Sequence, residues 1–361
     1  MRIAYVTHLG SEGGAERIHA SVCPFLQKVG HDVTLFVLDR RNGLASTWWR
    51  EAGIRFFVRP RTPFINRRHR MYWLSQHFEK WKPDLIWTSM DLAASLGQIL
   101  GRQLNIPVVS WHHNSGNFLY DSLVYSGERT SLWIGDSRAT TDMLSRYLPA
   151  NKVAYWPPYL FEEGTFQPAQ PWLPNTPLRL GVVGRLCLDK GYDTLIKALF
   201  LLDADTLSIP FHITVVGDGP ERERLQALVI RHNLQKYITF AGFMPNPRAF
   251  LSSLHLYLQP SIGEGFCIAA HEAMQVGLPV IASQVGELRY SVQNDQTGWS
   301  IPPNDPIALR DALKFALHNP HLLAPMGQNA RRYVSENFSS EKFIQNGNAV
   351  LQKIHNLTGL K

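Results

Sequence analysis

Cysteine is scarce in this chain: three in 361 residues, Cys23, Cys187 and Cys267, far apart and odd in number. No pair has CxxC spacing, which excludes a disulfide framework and points to a reducing compartment. No histidine–cysteine cluster has zinc spacing. No apolar run is as long as a membrane span, and the opening Met1-Arg2-Ile3-Ala4-Tyr5-Val6 enters a strand with no secretory h-region before it. The expected location is cytoplasmic, with peripheral contact at the inner face of the plasma membrane left open. There is no GxGxxG, no Walker A sequence and no G-x-S-x-G elbow. Asp39 is the nearest acid to the end of the second strand and does not sit convincingly for a nicotinamide ribose. Low-complexity segments and short-period repeats are absent as well.

What remains is an ordinary globular composition, 45% apolar and 18% charged, long enough for two α/β domains. Short apolar runs at 3–7, 32–38, 54–58, 84–88, 108–111, 132–135 and 153–156 read as strands. Amphipathic runs at 15–29, 69–81, 92–103 and 138–147 read as helices, the first kinked by Pro24. Six prolines between Pro157 and Pro177 mark an interdomain linker. A second alternating series follows. Its strands are at 179–183, 212–216, 238–240, 254–258 and 279–282, and its helices at 192–202, 221–232, 247–253, 268–276 and 306–317. The expected fold is α/β, with two Rossmann-like doubly wound parallel sheets facing a cleft. The expected division is 1–170, 171–338 and a last helix, 339–361. Ligands of such sheets bind outside the carboxyl ends of strands.

The net charge of +7 is concentrated in Arg55, Arg59, Arg61, Arg67, Arg68 and Arg70, with no acid between Glu51 and Glu79. Trp48, Trp49, Phe56, Phe57, Phe64, Tyr72 and Trp73 lie among or beside them. This basic and aromatic stretch, 55–73, suits an anionic membrane surface, an anionic acceptor or nucleic acid. It suits equally a solvated loop whose aromatics are partly core.

The stretch from Glu264 through Gly265, Phe266, Cys267 and Ile268 to Glu272 is the most informative. It reads as strand, sharp turn, helix. The helix start offers backbone N–H donors and the positive end of a dipole. Eight residues at helical rise span about 12 Å, so the two glutamates suit opposite ends of an extended ligand with the shape of a nucleoside diphosphate sugar. A buried helix after a core strand is the plainer alternative. Gly13-Gly14 before the first helix lets backbone approach a ligand, or makes a tight turn with none. His112 and His113 end a strand and either donate to a ligand hydroxyl or pack structurally. Arg185 and Lys190, on one loop, suit a diphosphate by fork and point charge, or are surface cations. Gly217 in Gly217-Asp218-Gly219-Pro220 makes room near a ligand or serves a plain βα turn. Asp203-Ala204-Asp205 matches a D-x-D metal pattern but follows a helix and reads better as a solvated loop.

The ordered set Gly13-Gly14-Ala15-Glu16-Arg17, Gly30-His31-Asp32-Val33, Gly184-Arg185-Leu186 with Lys190-Gly191, Val216-Gly217-Asp218-Gly219-Pro220, and Glu264-Gly265-Phe266 through Glu272-Ala273 resembles glycosyltransferase family 4, retaining enzymes of the GT-B fold. The resemblance covers nearly the whole chain, apart from about 39–81. It implies transfer of a sugar from a UDP- or GDP-linked donor, with retention, without metal or other cofactor and without nucleic acid. The acceptor implied is a hydroxyl in glycan, lipopolysaccharide or glycolipid biosynthesis, with lipid-linked and anionic acceptors among the options. It implies that Arg185 and Lys190 hold the diphosphate. Glu264 and the backbone at Phe266 to Ile268 meet the sugar and phosphate, and Glu272 meets the ribose. Gly13 and Gly14 approach the diphosphate, and His112, with His113 as the alternative, serves as the cleft histidine. Cys267 stands where the family often has glycine or proline. The resemblance also implies that the last helix, from about Glu341, crosses back to the N-terminal domain.

Overall fold

The computed structural model describes residues 1–9, 14–39, 45–60, 66–113, 130–159, 167–202 and 209–360. The chain forms two compact units, Met1–Tyr159 with Glu341–Lys361, and Leu160–Ser340.

The first unit holds β1 Arg2–Leu9, α1 Gly14–Lys28, β2 Asp32–Asp39, α2 Ala45–Glu51, β3 Arg55–Val58, α3 Arg67–Trp81, β4 Leu85–Ser89, α4 Asp91–Leu104, β5 Val108–His112, β6 Thr130–Gly135, α5 Arg138–Ser145 and β7 Val153–Tyr155. The sheet order is β3-β2-β1-β4-β5-β6-β7, with every pairing parallel. Burial of both faces explains why β4 and β5 carry no exposed position. On one face Ala4, Val6, Phe36, Ile86 and Val108 meet Leu74, Phe78, Leu96 and Leu100 from helices. Helix α1 runs through Pro24 as one element.

The second unit holds β8 Leu178–Val183, α6 Tyr192–Leu201, β9 Phe211–Val216, α7 Arg222–Arg231, β10 Ile238–Gly242, α8 Arg248–Ser252, β11 Leu256–Gln259, α9 Ile268–Gln275, β12 Val280–Ser283, α10 Leu288–Ser291, β13 Gly298–Ile301, α11 Pro306–His318 and α12 Leu323–Asn337. The sheet order, β10-β9-β8-β11-β12-β13, is again wholly parallel. Leu180, Val182, Ile213, Val215, Leu256 and Ile281 form its core with Leu195, Leu199, Leu309 and Leu313. The winding reverses between β8 and β11, and such a switch point opens a crevice at the strands' carboxyl ends.

Helix α13, Ser340–Thr358, packs on the first unit. Trp156 Nε1 donates to the Phe343 carbonyl at 3.0 Å, and Lys353 Nζ donates to the Val153 carbonyl at 2.7 Å. Gly347 gives the helix its close approach, because a Cβ there would come within 2.6 Å of Trp156 and 2.7 Å of Phe25.

Three elements escape the sequence reading: α2, α10 and β13. Trp48 and Trp49, beside the basic stretch, belong to α2, where Trp49 is buried and Trp48 lies under the Arg17 guanidinium, 5.3 Å from the ring centroid. The basic stretch does not make one surface. Arg55 begins β3 and pairs with Asp32 at 2.5 Å, at the amino edge of the sheet, while Arg59 follows the strand at its carboxyl edge and is buried. Phe57 and Tyr72 are exposed, and Arg68 is too. Arg61 lies outside the described residues.

Candidate active site

In the second unit, the loops after β8 and β11 meet at the switch point. Gly191, at φ +66, touches the other loop so closely that a Cβ would come within 1.9 Å of the Pro260 carbonyl oxygen. The Ile262 amide donates to the Asp189 carbonyl at 2.7 Å. This contact brings Lys190 and Glu264, 74 residues apart, into an ion pair with Nζ 2.6 Å from Oε1. Two further donors reach that oxygen: Ser261 Oγ at 2.7 Å and Gln259 Nε2 at 3.2 Å. Gln259 Nε2 also donates to Ser261 Oγ at 2.7 Å, and its Oε1 accepts from the Tyr257 hydroxyl at 2.9 Å. Three donors on one oxygen fix the rotamer of the 8%-exposed Glu264. Burial pulls the Lys190 pKa down, but the Glu264 carboxylate outweighs it and the ammonium ends above its ordinary value. An ammonium has three N–H donors, so one spent on Glu264 leaves two for another anion.

The loops after β8 and β9 are joined by backbone. Gly184 donates to Val216 at 3.0 Å, and Leu186 to Asp218 at 2.9 Å. Gly217 has φ +141, and a Cβ there would lie 1.9 Å from the Gly184 carbonyl oxygen. Its glycine is therefore explained by contact between two loops. Arg185 is exposed on the same loop as Lys190.

Helix α9 begins only at Ile268, because Cys267 adopts the left-handed conformation (φ 63, ψ 72). The expected helical span from Glu264 to Glu272 is corrected accordingly: its first half is loop, so the 12 Å estimate does not apply across it. The Phe266 ring turns inward, stacked on His271 at 4.3 Å and edge-on to Phe338 at 4.8 Å, which leaves its backbone at the loop. The Gly265 carbonyl accepts from the Glu287 amide at 2.8 Å. Burial first, and the Glu264 carboxylate second, raise the pKa of the buried Cys267 thiol. Glu272 is 4% exposed on α9.

In the first unit, Gly13 lies outside the described residues and Gly14 opens α1. His112 ends β5 with its ring buried and stacked on Trp133 at 5.1 Å. Neither of its nitrogens has a hydrogen-bond partner among the described residues. Burial, and then the neighbouring His113, push its pKa down to about 3, so the ring is neutral. His113 is the more open of the two. Its Nε2 stands 2.8 Å from Ser89 Oγ and its Nδ1 3.3 Å from Asp136 Oδ2. Ser89 Oγ is also 3.1 Å from Nε2 of the buried His19. On the other side of β1, Asp39 ends β2. Its Oδ1 accepts from Arg59 Nη2 and Arg70 Nε, both at 3.1 Å, and its Oδ2 from Arg70 Nη2 at 2.6 Å, with His8 Nε2 at 3.1 Å. Burial works to raise the Asp39 pKa, but the hydrogen bonds from Arg70 and Arg59 outweigh it, and the carboxyl ends below its ordinary value.

The sequence reading missed Tyr257, Gln259 and Ser261. The available signal was a polar residue ending an apolar strand. Asp203 and Asp205 lie outside the described residues. Among the described residues no group of three or more His, Cys, Asp or Glu is placed to hold a metal, and no helix is long and apolar enough to cross a membrane.

Two family models match this chain, one after the other: Glycosyltransferase Family 4 over residues 12–159 and Glycosyl transferases group 1 over residues 165–333. The chain belongs to the GT-B glycosyltransferases. This chain is 30% identical over 198 residues to the putative colanic acid biosynthesis glycosyltransferase WcaL of Escherichia coli K12, a match covering 52% of this chain and 48% of WcaL. The chain thus spans about half the length of WcaL and of its Salmonella typhimurium counterpart. An uncharacterized glycosyltransferase of Haemophilus influenzae matches at 24% identity over 96% of this chain and 98% of its own. Among solved structures, Anabaena HepE in complex with UDP and glucose superposes with a TM-score of 0.83 at 19% identity, covering 98% of this chain and 99% of that one. At that identity the likeness is one of fold.

Proposed function

We propose that the protein transfers a sugar from a UDP- or GDP-linked donor to an acceptor hydroxyl with retention of anomeric configuration. The observation that carries this reading is the Lys190–Glu264 pair at 2.6 Å on the β8–β11 switch point. HepE, which shares the fold, was solved with UDP and glucose. In this reading Lys190 keeps one N–H on Glu264 and, with Arg185, gives the others to the donor diphosphate. Glu264 and the backbone of Gly265, Phe266, Cys267 and Ile268 meet the sugar and phosphate. Glu272 meets the ribose, and Gly217 keeps the neighbouring loop close.

The acceptor oxygen forms its bond to the anomeric carbon on the face from which the diphosphate leaves. The bond from that carbon to the phosphate oxygen breaks, and the acceptor proton passes to the departing phosphate. The cations stabilise the charge that develops there, and fixed geometry supplies the remainder. The reading assigns no metal and no other cofactor. It gives Gly13, Gly14 and His112 supporting roles on the first unit. It places the acceptor in glycan, lipopolysaccharide or glycolipid synthesis at the cytoplasmic side.

The test is a thermal-shift and donor-hydrolysis panel with UDP-, GDP- and ADP-glucose. A UDP- or GDP-sugar is expected to stabilise the parent and to be slowly hydrolysed by it, with hydrolysis lost in Glu264→Ala. A folded parent that responds to none of these sugars would remove the proposal.

A further inference from the structure

The second unit holds a cavity at the amino edge of its sheet, the end opposite to Lys190 and Glu264. It measures about 210 Å³ and lies between residues 168–172, the starts of β11 and β12, and the first turn of α12. That is the share of about seven waters in the liquid, room for one small molecule. The Ala169 amide donates to the Val276 carbonyl at 2.6 Å and fixes one wall. From His255, beside the cavity, to Gln259, at the candidate active site, four steps of strand cover about 13 Å. The two places are therefore separate.

The lining favours an anion. His255 is 5% exposed and faces the cavity. Its Nδ1 accepts from the Arg179 amide at 3.0 Å, so the neutral ring carries its proton on Nε2. Burial, and then the Arg179 charge, keep the ring neutral, its pKa pushed down to about 4. Nε2 is thus a donor, and nothing among the described residues accepts from it. Arg331 of α12 is exposed beside the cavity and makes no hydrogen bond or ion pair among the described residues, and no acid among them lines the cavity. Helix α12 begins here, at Leu323 and Ala324, with the positive end of its dipole. Carbonyls at the end of α9 are already bonded: Ala273 accepts from the Leu278 amide at 3.0 Å and Met274 from the Gly277 amide at 3.1 Å. The remaining wall, Trp172, Leu254, Leu278 and Leu323, is apolar. A buried donor without a partner is costly until an acceptor reaches it. Apolar walls favour a hydrocarbon body over a bare inorganic ion.

We propose that this cavity is a second, non-catalytic site for a small organic carboxylate. The carboxylate accepts from His255 Nε2 and pairs with Arg331, and the hydrocarbon body packs on Trp172, Leu254, Leu278 and Leu323. The site is independent of the transferase reading.

The test titrates benzoate, hexanoate and benzamide into the full-length protein, followed by calorimetry and by the imidazole N–H signals of the histidines in NMR. At least one of the two carboxylates is expected to bind with a Kd on the order of 1 mM and to shift the His255 signal. Benzamide, the uncharged isostere of benzoate, should bind about tenfold more weakly than the better carboxylate. Arg331→Gln should raise the carboxylate Kd about fivefold. Arg332→Gln, an exposed neighbour that does not line the cavity, should leave it unchanged. His255→Asn keeps an acceptor near the Nδ1 position and deletes Nε2, which should raise the Kd about tenfold. His255→Gln puts an amide N–H near the Nε2 position and should bind more tightly than His255→Asn. A parent that binds neither carboxylate overturns the proposal, as does benzamide bound as tightly as the better carboxylate. Parental affinity in Arg331→Gln overturns it too, and that surface variant decides if His255→Asn loses its melting transition. Lys190→Ala separates the cavity from the candidate active site. Parental carboxylate binding in that variant supports the proposal, and lost binding moves the ligand to the donor loops and overturns it.

Discussion

At the carboxyl edge of the second unit's sheet, the loops are joined by backbone. Gly191 presses on the Pro260 carbonyl, Gly217 on that of Gly184, and four polar side chains converge around Glu264. At the corresponding edge of the first unit, long side chains make the connections. Arg59, Arg70 and His8 meet on Asp39, and His19, Ser89, His113 and Asp136 line up across three strand ends. The winding is the same, yet the second unit's edge is defined by main-chain contact and the first unit's by rotamers. Main-chain contact tolerates few substitutions, whereas side-chain pairs can be exchanged. Under the proposed function, that is the division expected between a part that grips a constant diphosphate and a part that meets a variable acceptor.

The largest test of this contrast is kinetic. Glu264→Ala should lower transfer or donor hydrolysis by about 100-fold or more, while Asp39→Asn in the first unit should leave donor hydrolysis near the parental rate. Equal losses in steady-state assays would erase the contrast.

Next in size is a pair of glycine substitutions. Gly217→Ala places a Cβ 1.9 Å from a carbonyl oxygen at φ +141, whereas Gly30→Ala, at φ +93, meets open space. The first should cost about 3 kcal/mol and the second about 1 kcal/mol, read from denaturant midpoints. Similar midpoints for the two variants would show that loop contact does not set the difference.

Acid separates the units third. His19 and His112 are buried neutral in the first unit, each held down to about 3 by burial and then by His113. In the second unit His255 is held down to about 4, by burial and then by Arg179. The unfolded chain binds these protons near pH 6.5 and the native state does not, so stability falls as the pH drops below that value. The slope is about 1.4 kcal/mol per unit for each histidine. Hydrogen exchange between about pH 6.5 and about pH 4 should show the first unit losing protection before the second. His112→Phe, which keeps the stack on Trp133, should flatten the slope of the first unit. An unchanged slope would assign the acid sensitivity to other groups.

The smallest effect concerns Cys267. Cys267→Ala keeps a side chain at φ 63, and Cys267→Gly relieves it. The glycine variant should be more stable than the alanine variant by about 1 kcal/mol by thermal melt. The reverse order would mean that side-chain burial outweighs backbone strain.

Periodicity and turn chemistry made most of both sheets readable in the sequence. The misses have physical causes. Strand β13 is four residues, Gly298-Trp299-Ser300-Ile301, too short for a pattern. Helix α2 was hidden because Trp48-Trp49 beside Arg50 looks like surface. Glu264 and Lys190 were legible as separate motifs. Their pairing depends on β8 and β11 being neighbours, which spacing along the chain does not reveal. The same holds for Asp39, passed over as a poor ribose partner. Its arginines lie 20 and 31 residues away and are brought to it by β3 and α3.

The helix that seals Phe25 and Trp156 is encoded after the entire second unit. During synthesis, the second unit emerges and can close while the first still exposes an unsealed aromatic strip. The first half to leave the ribosome is therefore the last to finish folding, and it is the half that a chaperone would meet.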